Sequence, residues 1–476
     1  MIRPSPVLSA ARVVLIAGIV AGATVAPGQT AAPAIATPTP ADATRLGEVR
    51  GDTLIVSLER LVDAALERNE MLLASGAWVD AARAQATGAW SGFLPRVSVS
   101  EFFLRSDDPL MAFGFKLNNR NVQAADFAPD RLNDPGETDS WVTRLQLLQP
   151  IFNGGMEWNG KAAANAASRA AVFDHARARE TTVLQAVEAY EGLALALSYR
   201  GVVEAAIVSA EAHERQARSL LEAEMATEAD LLQARVFLSR LRQQRIIVTN
   251  QVAAAGEAIR LLTAIETPLA LAAEPGPVRS DPGDLPAAGD VRQRSDLEAR
   301  RFEAVAAGKL VGVATGAMLP HVNLSLQRDY YSQSDIFGSD AKSWGLGVYA
   351  TWDLFKGLQD IGDLRRARAQ GRAAEHRYQF ELRRAQHEAH QAWRDAAAAR
   401  DRIAVAEDAV EAARASLRIV ANQYREGLAS MVDLLDVQTA ATQAEGDLVQ
   451  ARHDYRVDLA RLAHAAGSGI PEGGIQ

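Results

Sequence analysis

The feature that most constrains this chain is a proline-free stretch from about Glu157 to Ala223. As a single helix those 67 residues reach about 100 Å at ~1.5 Å per residue. No globular core holds a rod of that length, so the segment calls for a coiled coil or a helical tube. A second such stretch runs from about Gln359 to Glu426. The last helical segment adds apolar residues in steps of seven: Leu434, Ala441, Leu448, Tyr455 and Leu462. The first half gives Leu231, Leu238, Arg245, Val252 and Ile259, one position carrying charge. A sustained period of seven implies left-handed supercoiling.

The two long stretches belong to two matching halves, about 53–267 and 290–467, separated by a Pro-rich linker over 268–289. Trp141 and Trp344, Phe152 and Phe355, and Asp230 and Asp433 each lie 203 residues apart. A constant register over that many residues marks a duplication. Leu94-Pro95 and Leu319-Pro320 differ by 225, so a surplus of 22 residues lies between Pro95 and Trp141. Residues 106–140, rich in Asp, Asn, Pro and Gly, are expected to be an enlarged surface loop.

Each half also carries two segments of period-two patterning, about 96–105 and 141–152, then 321–331 and 344–355. Val322, Leu324 and Leu326 alternate with Asn323, Ser325 and Gln327. One greasy and one polar face fits either a half-buried soluble sheet or a lipid-facing barrel. Trp to Phe is 11 steps in both halves. Tilted by ~40°, such a strand spans roughly 28 Å, close to the ~25 Å apolar band of outer-membrane barrels. On that reading Trp141, Trp344, Phe152 and Phe355 sit at the membrane interfaces.

At the N-terminus, Arg3 and Arg12 precede an apolar run from Val13 to Ala26, which reads as a secretory signal over 1–26 with Ala21-Gly22-Ala23 as a cleavage site. Residues 27–52 read as a flexible leader and 468–476 as a C-terminal tail. No later stretch approaches 18 uncharged apolar residues, so no transmembrane helix is expected. The absence of cysteine removes disulfides, thiolate metal sites and a lipid anchor on Cys. A net charge of -9 argues against nucleic acid as a partner.

Each long helix reverses just before an Asp-Leu-Leu. Gly427 suits a left-handed C-terminal position after Tyr424. Ser430 to Asp433 and Thr227 to Asp230 are capping-box patterns that open the next helix. Capping explains both aspartates at minimum, whereas Asp436, one turn further along the same face, is left without that explanation.

With these residues in place, the chain resembles the TolC-like outer membrane efflux protein family. Leu94-Pro95, Leu319-Pro320, Arg294-Ser295-Asp296-Leu297, Trp352 to Gly357, and Tyr424 and Gly427 followed by Asp433 to Asp436 carry the resemblance over nearly the whole mature chain. It implies a mainly α fold with a membrane β-barrel portion: duplicated helix–strand–strand–helix halves, three copies of which form a 12-stranded barrel and a long periplasmic α-helical tube. It implies a homotrimer in outer membrane lipid that serves as the exit duct of a tripartite efflux pump or a type I secretion system, without catalysis or cofactor. The partners would be a periplasmic adaptor protein and an inner-membrane pump. The family closes its tube at the tip, and the matching residues are Asp433 and Asp436 as stacked carboxylate rings, with Tyr424 in the closed state. Gly427, Ser430, Thr227 and Asp230 form the tip turns. Ala429 stands where the family often has a basic residue, and Leu221 and Glu224 replace its first-half Tyr and Gly.

Other motifs point elsewhere. Gly155, Gly160 and Lys161 have phosphate-loop spacing, but Ala162 lacks the hydroxyl that Mg²⁺ requires. His387 and His390 are three apart, not four as in a zinc protease helix, and read as a solvated face. Arg365, Arg366, Arg368 and Arg372 are either an ordinary charged face or a set of contacts to lipid head groups.

Overall fold

The computed structural model describes residues 45–267, 270–273, 283 and 290–468. The signal segment and its cleavage site, most of the linker and all but Ser468 of the tail lie outside them. In chain order the strands are β1 (Gly47–Arg50), β2 (Thr53–Val56), β3 (Arg96–Ser106), β4 (Thr138–Asn153), β5 (Ala270–Ala273), β6 (His321–Ser332) and β7 (Ala341–Thr351). The helices are α1 (Leu58–Arg68), α2 (Glu70–Gly88), α3 (Pro109–Asn118), α4 (Pro129–Asn133), α5 (Met156–Glu222), α6 (Glu228–Thr263), α7 (Ser295–Gly316), α8 (Gln359–Arg425) and α9 (Met431–Ala466).

The duplication is exact in helix length. Helices α5 and α8 have 67 residues each, and α6 and α9 have 36 each. Small residues let these helices approach closely: Ala166, Ala170, Ala210, Ala217, Ala385, Ala389, Ala396 and Ala399 are all buried. The heptad positions Leu434, Ala441, Tyr455 and Leu462 are buried along α9. In α6 the charged Arg245 is exposed, and Val248, one turn on, takes the interior place with no exposure. Buried Arg456 of α9 ties to buried Glu191 of α5 at 2.7 Å, joining the two halves. Helix α5 also contains a window with mean hydropathy of 1.5, long and apolar enough by composition to cross a membrane. This departs from the pattern expected above. Within the chain, its Val183, Ala186, Tyr190 and Leu193 are packed against protein rather than left bare.

Two expectations for irregular segments are corrected. The segment read as a leader to residue 52 contains β1, and the Pro-rich linker contains β5. Strand β1 pairs antiparallel with β2, and β2 pairs parallel with β5. Leu46, Leu54, Val56 and Leu271 from this small sheet join Leu61 and Val62 of α1, Tyr190 and Leu193 of α5 and Ile259 of α6 in one core. Burial of such aliphatic side chains stabilises by ~1.5–3 kcal/mol each, enough to order short strands that propensity alone would not. The segment 106–140 is likewise not a bare loop. Asp108 caps α3 by accepting from Met111 N at 2.8 Å, and Lys116 pairs with buried Asp126 at 2.7 Å.

The second sheet is antiparallel in the order β3-β4-β6-β7. Its outer strands β3 and β7 each have 11 residues and an edge that no strand of the chain pairs among the described residues.

Candidate functional site

Register assigns every strand residue to one of two faces. One face carries Val97, Val99 and Phe103 of β3, Trp141, Leu145 and Leu147 of β4, Leu324 and Leu326 of β6, and Trp344, Leu346 and Val348 of β7. Trp344, Leu346 and Val348 are 69%, 62% and 67% exposed, so this greasy surface has no cover within the chain. The opposite face carries the charged pair beside an apolar group of Phe102, Leu104, Val142 and Tyr331, while Glu101 and Arg328 fall among the residues of the greasy face. Arg144 forms a forked pair with Asp329 at 2.8 and 3.1 Å, and Gln146 donates to Ser325 at 3.2 Å. A sheet that is apolar outside and charged inside suits lipid on one side and water on the other.

Trp141 packs on Phe103 with ring centroids 4.7 Å apart, at the end of the sheet away from the long helices. Phe152 lies 11 steps from Trp141, and strict alternation would put the two on opposite faces. A register shift between Pro150 and Phe152 inserts one residue, so Phe152 pairs with Val322 and returns to the apolar face. Phe355 does not close its strand, because β7 runs from Ala341 to Thr351 and ends four residues before the expected 355. Phe355 is 77% exposed in the connection to α8. Sequence reading passed over a further aromatic group at this level: Trp90, Phe93 and Trp158, with centroids 5.8 and 4.9 Å apart along the series.

Strand meets helix through paired left-handed residues. Gly154 and Gly155 have φ of +63° and +77°, and Gly357 and Leu358 have +59° and +70°. A Cβ on Gly154 would lie 2.2 Å from Gly316 O, so the turn closes directly onto the end of α7. The phosphate-loop spacing is thus a strand-to-helix turn, with Lys161 Nζ 3.0 Å from the centroid of the Trp90 ring. The pair of histidines flanks Ala389, which is buried, and Glu388, which accepts from Arg294 at 3.0 Å. His387 itself is exposed and His390 half-buried, so the buried side of α8 lies between them rather than on the face of His387. Arg294, 2% exposed, also grips Asp296 through both oxygens and donates to Ala465 O, pinning α7, α8 and α9 together. The cations of Arg294 hold the Asp296 carboxyl below its ordinary range despite burial.

At the far ends of the long helices lie the two reversals. Thr227 accepts from Asp230 N at 3.3 Å, and Asp230 accepts from Thr227 N at 2.9 Å. Ser430 and Asp433 repeat this at 3.2 and 3.0 Å, with the Ser430 hydroxyl donating to Asp433 Oδ2 at 2.7 Å. These bonds hold the Asp433 carboxyl below the usual range. Asp436 is exposed and lines a groove of about 380 Å³ with Leu232, Val236, Arg240, Val432 and Leu435. Gly427 adopts φ of +74° at its tip. Tyr424 is buried between the helices. It is 5% exposed and packed with Ala217, Leu231, Ala234, Met431 and Leu434, and its hydroxyl has no hydrogen-bond partner among the described residues. Burial, with Asp230 nearby, raises its phenol pKa.

An exposed apolar band joined to rods of this length defines a channel-forming protein of the outer membrane type. The outer membrane efflux protein family matches residues 61–264 and 291–468, and the chain belongs to that family. It is an outer membrane channel for efflux and not an enzyme. Outer membrane efflux protein BepC of Brucella suis is 24% identical over 330 residues, 68% of this chain and 71% of its own length. The solved structure of VceC from Vibrio cholerae has 23% identity and a TM-score of 0.74, covering 88% of this chain and 96% of that one. The Campylobacter jejuni CmeC channel has 20% identity and a TM-score of 0.75, covering 90% and 92%. At these identities the structural likeness carries the fold alone.

Proposed function

We propose that three copies of this chain form a passive exit duct across the outer membrane and the periplasm. The observation that carries this reading is the four-stranded sheet with an apolar face, a charged face and two open edges. A lone open sheet leaves unpaired backbone groups in hydrocarbon, at several kcal/mol each, and known barrels begin at eight strands. Three copies give 12 antiparallel strands, with β3 of one copy beside β7 of the next. The long helices then continue the barrel as a tube. At the reversals, Asp433 and Asp436 of three copies ring the opening, and the tips near 221–231 and 424–436 dock a periplasmic adaptor that links to an inner-membrane pump. The pump supplies energy and selects cargo, so the duct requires no cofactor.

The cysteine-free chain makes the test direct. Single cysteines placed at outward positions of β3 and β7, such as Val99→Cys with Leu346→Cys, should give disulfide-linked trimers in outer membrane fractions and heat-modifiable trimer bands. A purified chain that stays monomeric without detergent and yields no cross-link overturns the proposal.

A further inference from the structure

The band below the barrel has an order that the channel alone does not require. After β7 ends, Trp352, Leu354, Phe355, Leu358 and Ile361 are all exposed, at 58%, 79%, 77%, 66% and 41%. Past Ile361 come Arg365, Arg368 and Arg372, all exposed, and none has an ion pair among the described residues, whereas neighbouring Arg366 is held by Asp363 at 3.1 Å. Spacings of three and four put the three free arginines on one stripe of α8.

That stripe faces outward. Arg365 and Arg372 stand four and three heptads before Trp393, whose indole donates to Gly283 O in the inter-repeat linker at 3.1 Å. The positions 203 residues earlier are Ala162, Asn165 and Arg169, in heptad phase with Val183, Ala186, Tyr190 and Leu193 of α5. Those four carry the small β1-β2-β5 sheet and α1. A bore that must stay open carries that sheet on its outer wall. On the same phase in the first repeat, Trp158 aligns with Ile361 and is 71% exposed. Along α8 the exposed apolar run therefore gives way to a basic stripe just where the apolar band stops.

We propose that Arg365 and Arg368 bind the phosphodiester headgroups of anionic phospholipids in the leaflet on the helix side of the barrel. Charge complementarity and continuity with the lipid-facing strands both select this occupant. Arg365 lies about 9 Å along α8 and Arg368 about 14 Å, whereas Arg372, at about 20 Å, is too far to take part. Long arginine stems reach back toward the headgroup layer while keeping their charge hydrated. Basic residues just outside a membrane span attract anionic lipid through the surface potential.

The inference rests on the duct reading, and the two are separable in one experiment. The full chain is purified as its oligomer and incorporated into nanodiscs of phosphatidylglycerol mixed with phosphatidylcholine, and the lipid retained after detergent exchange is measured by native mass spectrometry. Wild type should retain phosphatidylglycerol preferentially, and the Arg365→Gln, Arg368→Gln double variant should lose ~10-fold or more of that preference. Arg366→Gln, removing the paired neighbour, should not. If the double variant fails to assemble, the single Arg365→Gln and Arg368→Gln variants read the same loss in smaller steps. Undiminished preference in these variants overturns the lipid site. Displacement by inorganic phosphate in place of lipid also overturns it, in favour of a free-anion site. The heat-modifiable wild-type band tests the duct independently of either result.

Discussion

Glu224 and Gly427 hold the same left-handed backbone state, φ +59° and +74°, at helix reversals 203 residues apart. The same pairing recurs at Leu358 and Gly155, +70° and +77°, and at Ala264 and Gly467, +51° and +73°. In each of these three pairs a glycine stands in one repeat and a side chain in the other, whereas the pair Gly154 and Gly357 is glycine in both. The fold keeps the turn because the paired helices on either side fix where the chain must reverse. A side chain there costs roughly 1–2 kcal/mol. Glu224→Gly should therefore raise the thermal midpoint, and Gly427→Glu should lower it by an equivalent of about 1–2 kcal/mol. Gly427 has open space around its Cβ position, so strain alone is being measured. Gly467 differs, because a Cβ there meets Arg294 Cγ at 2.8 Å. Gly467→Ala should accordingly cost more than its conformation explains, read by the same melts.

The two aspartates of the second reversal should separate by experiment. Asp433 is engaged by Ser430 and by its backbone N–H, while Asp436 makes no such bond among the described residues. Asp433→Ala should destabilise by about 1 kcal/mol through loss of the capping box. Asp436→Ala should leave stability within about 0.5 kcal/mol, the usual range for a surface change. Planar-bilayer reversal potentials supply the second readout. Cation preference should fall in Asp436→Ala, since carboxylate rings select cations. An unchanged reversal potential in the Asp433→Ala, Asp436→Ala double variant removes both from the pore.

Long-range periodicity carried most of the legible fold. The heptads of α9, the matched 67-residue helices and the capping boxes follow from spacing alone. What spacing missed depends on contacts distant in sequence. Strand β5 looks like linker because Ala270 to Ala273 gain strand character only beside Thr53 to Val56. The bulge that turns Phe152 back to the lipid face depends on pairing with Val322, and no local pattern shows it. Trp90 and Phe93 fall in a short 3-10 turn and its following residue, so strand alternation could not flag them as part of an aromatic group. The role of Arg294 was visible only as a motif; its three partners sit 2, 94 and 171 residues away.

Tyr424 offers a case where removing a group should help. Its hydroxyl is buried without a partner among the described residues, and an unsatisfied buried donor costs ~1–3 kcal/mol. Tyr424→Phe keeps the ring among Leu231, Met431 and Leu434 and should raise stability by roughly 1 kcal/mol. Tyr424→Ala should lower it by ~3–5 kcal/mol, as a buried aromatic truncation does. Conductance of the closed channel should be the same in Tyr424→Phe as in wild type. A leak in the phenylalanine variant would assign the hydroxyl a closing role that its buried position in the single chain does not provide.

Stability should also fall in acid through His464. The ring sits between helices with Arg177 Nη2 3.2 Å from Nδ1 and Thr181 Oγ1 3.2 Å from Nε2. A guanidinium can only donate, so Nδ1 accepts, and Nε2–H donates to Thr181. Burial pushes the imidazole down to about 4; the Arg177 and Arg294 cations add to this, and Glu180 and Asp296 oppose it. Because the folded value lies below the ordinary 6.5, the unfolded chain binds the extra proton first. The contribution is fully present above about pH 6.5 and declines as pH falls toward about 4, below which it is gone. His464→Gln can still accept from Arg177 and donate to Thr181, yet it cannot titrate. Its melting temperature should therefore drop less than that of wild type between about pH 7.5 and 4.5. Parallel losses in the two proteins over that interval would place the acid sensitivity in other groups.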